Sequence, residues 1–161
     1  MAESTQTEVL IRRAKRDDLP TVIALDQRVT GVGKPRYWED VFERYGVQRP
    51  HDRYFLVAET TDGAHRYLGL IVGEVRAWEF GSPPCGWVFA IQVETDARQG
   101  YIGSRLFEAI CEAFRAAGVS KVRTMTSTDN HLLLSFFRGQ GMMGGPYLQL
   151  EMELRGMEAA Q

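Results

Sequence analysis

The feature that most constrains the fold is an apolar strand that runs through a glycine-containing loop into a long amphipathic helix. Residues 87–93, Trp-Val-Phe-Ala-Ile-Gln-Val, are apolar on nearly both faces and rich in β-branched and aromatic side chains, which favours a central strand of a sheet. The predicted helix covers about residues 100–117 and carries apolar residues at helical spacing: Ile102, Leu106, Ile110, Ala113 and Ala117. A strand that is followed by such a helix predicts an α/β domain.

Residues 94–104 join this strand to the helix and have the composition of an anion site. The first amides of a helix have no partner inside it, and the helix dipole places partial positive charge there. Gly100 and Gly103 let the backbone approach an anion closely, and Arg98 and Arg105 can add charged contacts. An ordinary strand-to-helix turn has the same Gly-x-x-Gly pattern, so the loop alone does not establish a binding site. It lacks the Gly-Lys-Ser/Thr of a P-loop, which excludes that motif.

Hydrophobic periodicity and turn signals predict the rest of the domain. The predicted strands are residues 9–13, 54–59, 67–79, 87–93, 119–127 and 147–154. The predicted helices begin after Asp18, span about 36–45 and 100–117, and run from Asn130 to Gly139 or Gly141. The resulting order, β-α-α-β-β-β-α-β-α-β, predicts an α/β (α+β) fold with a mixed central sheet that is flanked by helices.

Length and composition limit the class of protein. A chain of 161 residues fits one domain, which we expect at 9–154 between loose tails at 1–8 and 155–161. The net charge of −2 argues against a nucleic-acid partner. The chain has no run of about 20 apolar residues, so we expect no membrane span, and the first eight residues lack the apolar core of a signal peptide. Cys85 and Cys111 lie far apart without metal-ligand spacing, which predicts free thiols in a reducing, cytoplasmic compartment.

Several segments in the right order resemble the GNAT acetyltransferase superfamily. The family's cofactor motif, Gln/Arg-x-x-Gly-x-Gly/Ala, is matched by Arg98 at its first position and by Gly103 at its last. Tyr101 stands where the middle glycine is usual, with Gly100 beside it, so the loop carries either a substitution or an inserted residue. The order of elements is also similar to that of the family, as are two further segments: Ile11-Arg12-Arg13-Ala14 leading to Asp18-Leu19, and Asn130…Phe136-Phe137-Arg138-Gly139-Gln140-Gly141-Met142. The resemblance extends over about residues 9–154.

The resemblance implies a site for acetyl-CoA as cosubstrate, without a metal. In the family the central strand splays from its neighbour and its exposed backbone pairs with the pantetheine arm, a role that falls here to Ile91, Gln92 and Val93. The pyrophosphate is then expected on the loop and the first helical turn: Arg98, Gln99, Gly100, Tyr101, Ile102, Gly103 and Ser104. Asn130 either helps to hold the pantetheine or caps the next helix.

The implied reaction is direct attack on the thioester by a primary amine of a small molecule, a peptide or a protein. At pH 7 only about one alkyl amine in a thousand is neutral, so something must remove a proton. A backbone amide near Val93 can polarise the thioester carbonyl. The chain lacks the family's usual acid and base, because Phe137 stands at the tyrosine position and residues 86–93 contain no carboxylate.

Glu74 lies on the preceding strand, where the alternation of side chains makes it the best substitute for the missing base. Alternatively, it is a solvated charge on the face of the strand that pairs with Arg76. His131 can titrate near neutral pH or simply begin a helix in solvent. Tyr101 and Tyr147 are further acids whose placement the sequence does not give.

The acceptor pocket is expected from the first two helices, roughly residues 27–50, and from the final strands. Residues 36–39 shape that pocket unless this helix face packs on the core. Two other classes of function stay open. One is a GNAT-fold module that binds CoA without turnover, which the missing acid and base favour. The other is a partner-binding domain without a cofactor, which would leave the loop at 98–104 without a purpose. Dimers are common in the family, so a homodimer is an expectation as well.

Overall fold

The structure, a computed structural model, describes residues 8–154, and at residues 98–100 it describes the backbone but not the side chains. The chain divides into two compact units between Met125 and Thr126. The tails expected at 1–8 and 155–161 lie outside the described residues, except for Glu8. None of the helices within residues 8–154 is both long enough and apolar enough to cross a bilayer.

The first unit, over residues 8–125, combines a sheet with α-helices. Its strands are β1 (Val9–Arg13), β2 (Arg53–Thr60), β3 (Tyr67–Arg76), β4 (Cys85–Val93) and β5 (Val122–Thr124). Its helices are α1 (Leu19–Thr30), α2 (Pro35–Val41) and α3 (Ile102–Ala116). Short 3-10 turns lie at Arg16–Asp18, Glu79–Gly81 and Thr95–Gly100, and a π-helical turn lies at Phe42–Val47. The second unit contains α4 (His131–Gly139).

The sheet has the strand order β1-β2-β3-β4-β5. Neighbours from β1 to β4 pair antiparallel, whereas β4 and β5 pair parallel. Parallel neighbours need a crossover connection, and α3 supplies it. This arrangement confirms the mixed sheet flanked by helices that the order of elements predicts.

Helices cover both faces of the sheet. On one face, α1 and α2 pack on alternate residues of the middle strands, in a core cluster that includes Val22, Trp38, Val41, Phe55, Val57, Leu70 and Val72. Successive strand residues point to opposite faces, so Gly73 turns towards α3. A Cβ at Gly73 would lie 2.9 Å from Cδ1 of Ile110, and one at Gly86 would collide with the ring of Phe114. The two glycines therefore let α3 lie close against β3 and β4.

An ion cluster ties the start of the chain to the sheet. Arg12 on β1 donates to both carboxylate oxygens of Asp18 at 2.8 and 2.9 Å, and to both of Glu59 on β2 at 3.0 Å. The bonds from Arg12 hold the pKa of Glu59 below its ordinary value. Burial opposes the charge of Asp18, but the bonds from Arg12 and from the Lys15 amide outweigh it, so the pKa of Asp18 is lowered as well. Because Asp18 directly precedes α1, this cluster ties the start of that helix to β1 and β2.

The predicted last strand, residues 147–154, does not form. The segment has no regular secondary structure, and Leu148 and Leu150 are each 89% exposed. Its alternating pattern gives the side chains two faces, but a strand also needs a neighbouring strand for its backbone hydrogen bonds. Within residues 8–154 no strand pairs with it.

Other predicted elements differ in their bounds. The strand predicted at 119–127 is reduced to Val122–Thr124, and the helix predicted at 36–45 is divided into α2 and the π-helical turn. The strand predicted at 67–79 ends at Arg76, because Trp78 and Phe80 have positive φ values of 63° and 48° that no strand residue adopts.

Replacing Arg12 by Met tests the ion cluster. Carboxylates with lowered pKa values stabilise the fold above their unfolded-state pKa values, about 3.9 for Asp and 4.3 for Glu, and this contribution is lost as the pH falls. We expect R12M to lower the free energy of unfolding by about 2–4 kcal/mol at pH 7. The difference from the wild type should shrink below about pH 4, as urea unfolding at several pH values will measure.

The matched control is Arg115→Met, because the ion pair of Arg115 with Glu112 is exposed on both sides. It should change the free energy of unfolding by less than about 0.5 kcal/mol. A loss in R12M that is equal at pH 7 and at pH 3 would contradict the assignment.

Candidate active site

β4 loses one of its two neighbours halfway along its length. Its pairing with β5 stops at Val88. On the other side, the consecutive β3 residues Val72 and Gly73 pair with Ala90 and Val88, so Phe89 is an extra residue in β4. Such a bulge bends a strand and increases its local twist. Beyond it, β4 continues beside β3 with no strand on its other side among residues 8–154.

The residues expected to meet the pantetheine arm, Ile91, Gln92 and Val93, all lie in this last part of β4. They pair in register with Ile71, Leu70 and Gly69 of β3. A Cβ at Gly69 would come within 2.5 Å of the carbonyl oxygen of Gln92, so glycine is needed for β3 to follow β4 this closely.

The loop after β4 leads directly into the N-terminus of α3. Residues 95–100 form a 3-10 turn, and α3 begins at Ile102. Tyr101, between them, has φ 59° and ψ 22°, the left-handed conformation that glycine adopts most easily. Position 101 thus keeps the backbone conformation of a glycine while carrying a tyrosine, which favours a substitution in the loop motif over an inserted residue. The tyrosine side chain is 78% exposed.

The segment that is expected to hold the pyrophosphate therefore comprises the end of the 3-10 turn, Tyr101 and the first turn of α3. Gly103 and Ser104 lie in that first turn, while the side chains of residues 98–100 are outside the described part of the structure. Arg105 donates from Nη2 to the carbonyl oxygen of Val9 at 2.9 Å. It thus anchors α3 to β1, a role that the sequence pattern did not predict.

Aromatic rings and charged groups form a cluster beside the bulge, on the face that α1 and α2 cover. The members of this aromatic–charged cluster are Tyr45, Arg53, Glu74, Arg76, Trp87 and Phe89. The ring centroids of Tyr45 and Phe89 lie 4.8 Å apart, and the guanidinium of Arg53 lies 5.3 Å from the centroid of the same tyrosine. Burial, together with the charge of Glu74, raises the pKa of Tyr45, so its phenol stays protonated at neutral pH.

Glu74 lies within this cluster, directly opposite Trp87 in the β3–β4 register. Its carboxylate accepts a hydrogen bond from Nε of Arg76 at 3.1 Å and lies 3.6 Å from Nε of Arg53. The side chain is 16% exposed. The ion pair with Arg76 that the sequence suggested is present, and it holds the carboxylate at the side of β4.

A buried carboxylate connects β4 to the first two helices. Asp26 of α1 is 1% exposed and accepts hydrogen bonds from Nε1 of Trp38 at 2.9 Å and from Nε2 of Gln92 at 2.8 Å. Nζ of Lys34 lies 3.0 Å from the same carboxylate. Burial opposes its charge, but these three donors outweigh the burial and lower the pKa of Asp26. Trp38 thus belongs to the core, as the alternative interpretation of residues 36–39 expects.

The second unit contains Asn130 and Phe137. Asn130 is the N-cap of α4, and its Oδ1 accepts a hydrogen bond from the amide of Leu133 at 3.1 Å. His131 is the exposed first residue of the helix. The ring of Phe137 meets that of Phe136 edge-on at 5.2 Å and has no group that can donate a proton. The geometry of Asn130 is therefore that of a helix cap.

Sequence reasoning missed Phe89 and Asp26 for different reasons. Phe89 is one apolar residue in an apolar run, and the bulge that it forms has no signature in residue type. Asp26 could have been noticed in the sequence. It follows Val22 and Ile23 at helical spacing, so it places an acidic residue in the apolar stripe of α1.

Residues 8–154 contain no group of three or more His, Cys, Asp or Glu side chains that could hold a metal ion. Cys85 and Cys111 are free thiols.

Solved acetyltransferase structures have the same fold. The aminoglycoside N-acetyltransferase AAC(6')-Iy, solved in complex with CoA, has a TM-score of 0.79 at 14% identity, and the match covers 94% of this chain and 99% of that one. AAC(6')-Ih from Acinetobacter baumannii has a TM-score of 0.78 at 14% identity, over 92% and 100% of the two chains. An acetyltransferase from Trypanosoma brucei has a TM-score of 0.69 at 18% identity, over 91% and 100%. At these identities the likeness concerns the fold.

Sequence comparison gives the family. No curated protein matches the chain. The family model described as Acetyltransferase (GNAT) family matches residues 19–142, which is more than half of the chain and includes β4, the loop and α3. The chain therefore belongs to the GNAT acetyltransferase family.

Proposed function

We propose that this protein is an N-acetyltransferase that transfers the acetyl group of acetyl-CoA to a primary amine. The observation that carries the proposal is the end of the β4–β5 pairing at Val88, which leaves an extended strand edge leading into the N-terminus of α3. An open strand edge can bind a chain of amides as it would bind another strand, and a helix N-terminus favours phosphate. The pantetheine arm of CoA carries amides and its other end carries phosphates, so both parts fit.

In this proposal the backbone of Ile91, Gln92 and Val93 pairs with the pantetheine arm. The backbone of residues 99–104 receives the pyrophosphate, and the sequence supplies Arg98 as an additional positive charge in the same loop. Asn130 is retained as a helix cap, and we assign it no contact with the coenzyme.

The solved relatives support both the coenzyme and the class of acceptor. AAC(6')-Iy has been solved in complex with CoA and in complex with the bisubstrate analogue CoA-S-monomethyl-acetylneamine. We extend from these structures the use of acetyl-CoA and of an amine acceptor. The particular amine is left to experiment, because at 14% identity a relative's own acceptor does not carry over to this chain.

Acetyl-CoA supplies an acyl group that is activated as a thioester. Backbone amides past the bulge are the groups of this chain that can stabilise negative charge on the thioester oxygen. Within β3 and β4, Glu74 is the carboxylate beside the bulge, and we infer that it takes the proton of the amine through water. Phe137 has no hydroxyl group to act as an acid. We propose that the coenzyme leaves as a thiolate when its carbon–sulfur bond breaks, and that the thiolate takes its proton from solvent.

We place the protein in a reducing, cytoplasmic compartment, which the two free thiols support. A homodimer remains an expectation drawn from the family.

The second candidate is a module that binds CoA without turnover. Two observations favour it: Phe137 has no hydroxyl group, and Glu74 is engaged by two arginines. The two candidates are separated by measuring thiol release from acetyl-CoA with a panel of amines that includes aminoglycosides, polyamines and peptides, alongside calorimetric titration with CoA. Turnover on any amine supports the enzyme, and CoA binding without turnover supports the module. Absence of CoA binding would overturn both.

The loop assignment is tested by Gly103→Glu, which places a carboxylate in the first turn of α3. Repulsion of the pyrophosphate should weaken CoA binding by about tenfold or more, as calorimetry will measure. Ala116→Glu is the matched control, because it adds the same charge to an exposed site roughly 20 Å along the same helix. Equal CoA affinity in the two variants would show that the pyrophosphate binds elsewhere.

The role of Glu74 is tested by Glu74→Gln, which keeps the shape of the side chain and removes its charge. A general base contributes about 10²-fold or more, so we expect kcat to fall by about that factor while CoA affinity stays within about twofold. Glu79→Gln is the control, since Glu79 is an exposed partner of the same Arg76, at 3.9 Å. A kcat in E74Q within about threefold of the control would leave Glu74 as a structural ion pair only.

A further inference from the structure

Asp26 is a buried charge whose three donors come from three different parts of the first unit. Gln92 belongs to β4, Trp38 to α2, and Lys34 to the connection between α1 and α2. A carboxylate accepts hydrogen bonds in a few fixed directions, so each donor is held in a defined position relative to α1. The carboxylate therefore fixes α1, α2 and the end of β4 relative to one another.

Asp26 also determines how the amide of Gln92 is oriented. Because Nε2 of Gln92 donates to Asp26 at 2.8 Å, the amide oxygen Oε1 must point away from the carboxylate. Oε1 is buried and has no hydrogen-bond partner among the described residues. An unsatisfied buried acceptor destabilises a fold. The side chain keeps this arrangement because its other end is bonded to a charged and buried partner.

Gln92 lies in the part of β4 that has lost β5 as a neighbour. Pairing with β3 supports this stretch on one edge only. The bond between Gln92 and Asp26 supports it on the face that α1 covers. This part of β4 is thus held by β3 along one edge and by α1 on one face, while no strand among residues 8–154 pairs with its other edge.

We infer that Asp26 is a positioning residue for coenzyme binding: through Gln92, it holds the end of β4 against α1 so that its edge stays in the extended form that pairs with the pantetheine arm. The inference rests on the proposed function, because it needs the coenzyme to bind along β4. It adds a residue of α1 that acts on β4 through the side chain of Gln92.

The test uses the full-length protein, CoA as the ligand, and calorimetry together with thermal unfolding. Asp26→Asn removes the charge, and Gln92→Leu removes the bond from the other side while also removing the unsatisfied Oε1, so the second variant should fold even if the first does not. Each is expected to weaken CoA binding by about tenfold. The double variant should bind no more weakly than either single variant, because both remove the same connection.

Asp18→Asn is the matched control. Asp18 is also a carboxylate with a lowered pKa in an ion pair, but it contacts β1 rather than β4. It should lower the melting temperature and leave the Kd for CoA within about twofold of the wild type. A purely structural role for Asp26 would lower stability in D26N as in D18N without changing the Kd.

The outcomes separate the inference from the proposed function. If the wild type binds CoA but D26N and Q92L bind it equally well, or if their effects on Kd add, the inference is overturned and the proposed function stands. If the wild type binds no CoA, the proposed function is overturned and the inference with it.

Discussion

The site depends on a limit in backbone hydrogen bonding: β5 pairs with β4 only as far as Val88. A strand with neighbours on both edges has no backbone groups left for a ligand, whereas a strand with one neighbour presents a row of them. The extra residue Phe89 lies where the pairing ends, and a bulge of this kind bends its strand. The open edge is therefore a consequence of how the sheet is built, and the coenzyme site that we propose makes use of it.

Two kinds of contact hold the open edge of β4 in position. The close contact of α3 at Gly73 and Gly86 fixes the helix against the sheet and thus sets where its N-terminus meets the end of β4. On the opposite face, Asp26 joins α1, α2 and β4 through one buried carboxylate. The aromatic–charged cluster, which contains the proposed base Glu74, lies on this second face, so the core that supports the strand also lies beneath Glu74.

Much of the fold could be predicted from the sequence, because the apolar run at 87–93 and the stripe from Ile102 to Ala117 have no simple alternative. The bulge could not be predicted from the sequence, since residues of any type can occupy such a position. The strand predicted at 147–154 failed because alternation reports side-chain faces and not the presence of a partner strand. Within the site, Arg98 and Gly103 predicted the loop, but Tyr101 obscured it, because only the structure shows the left-handed backbone of a glycine at that position. Alternation made Glu74 a candidate, but it could not predict the second partner of Glu74, Arg53, which lies on another strand.

The most direct measurement is hydrogen–deuterium exchange of the backbone amides with and without CoA. We expect CoA to slow exchange in residues 89–93 and 99–104, where the open strand edge and the N-terminus of α3 lie, and to leave β1 and β2 unchanged. Binding of CoA without added protection in residues 89–93 would contradict the assignment of the coenzyme to the edge of β4.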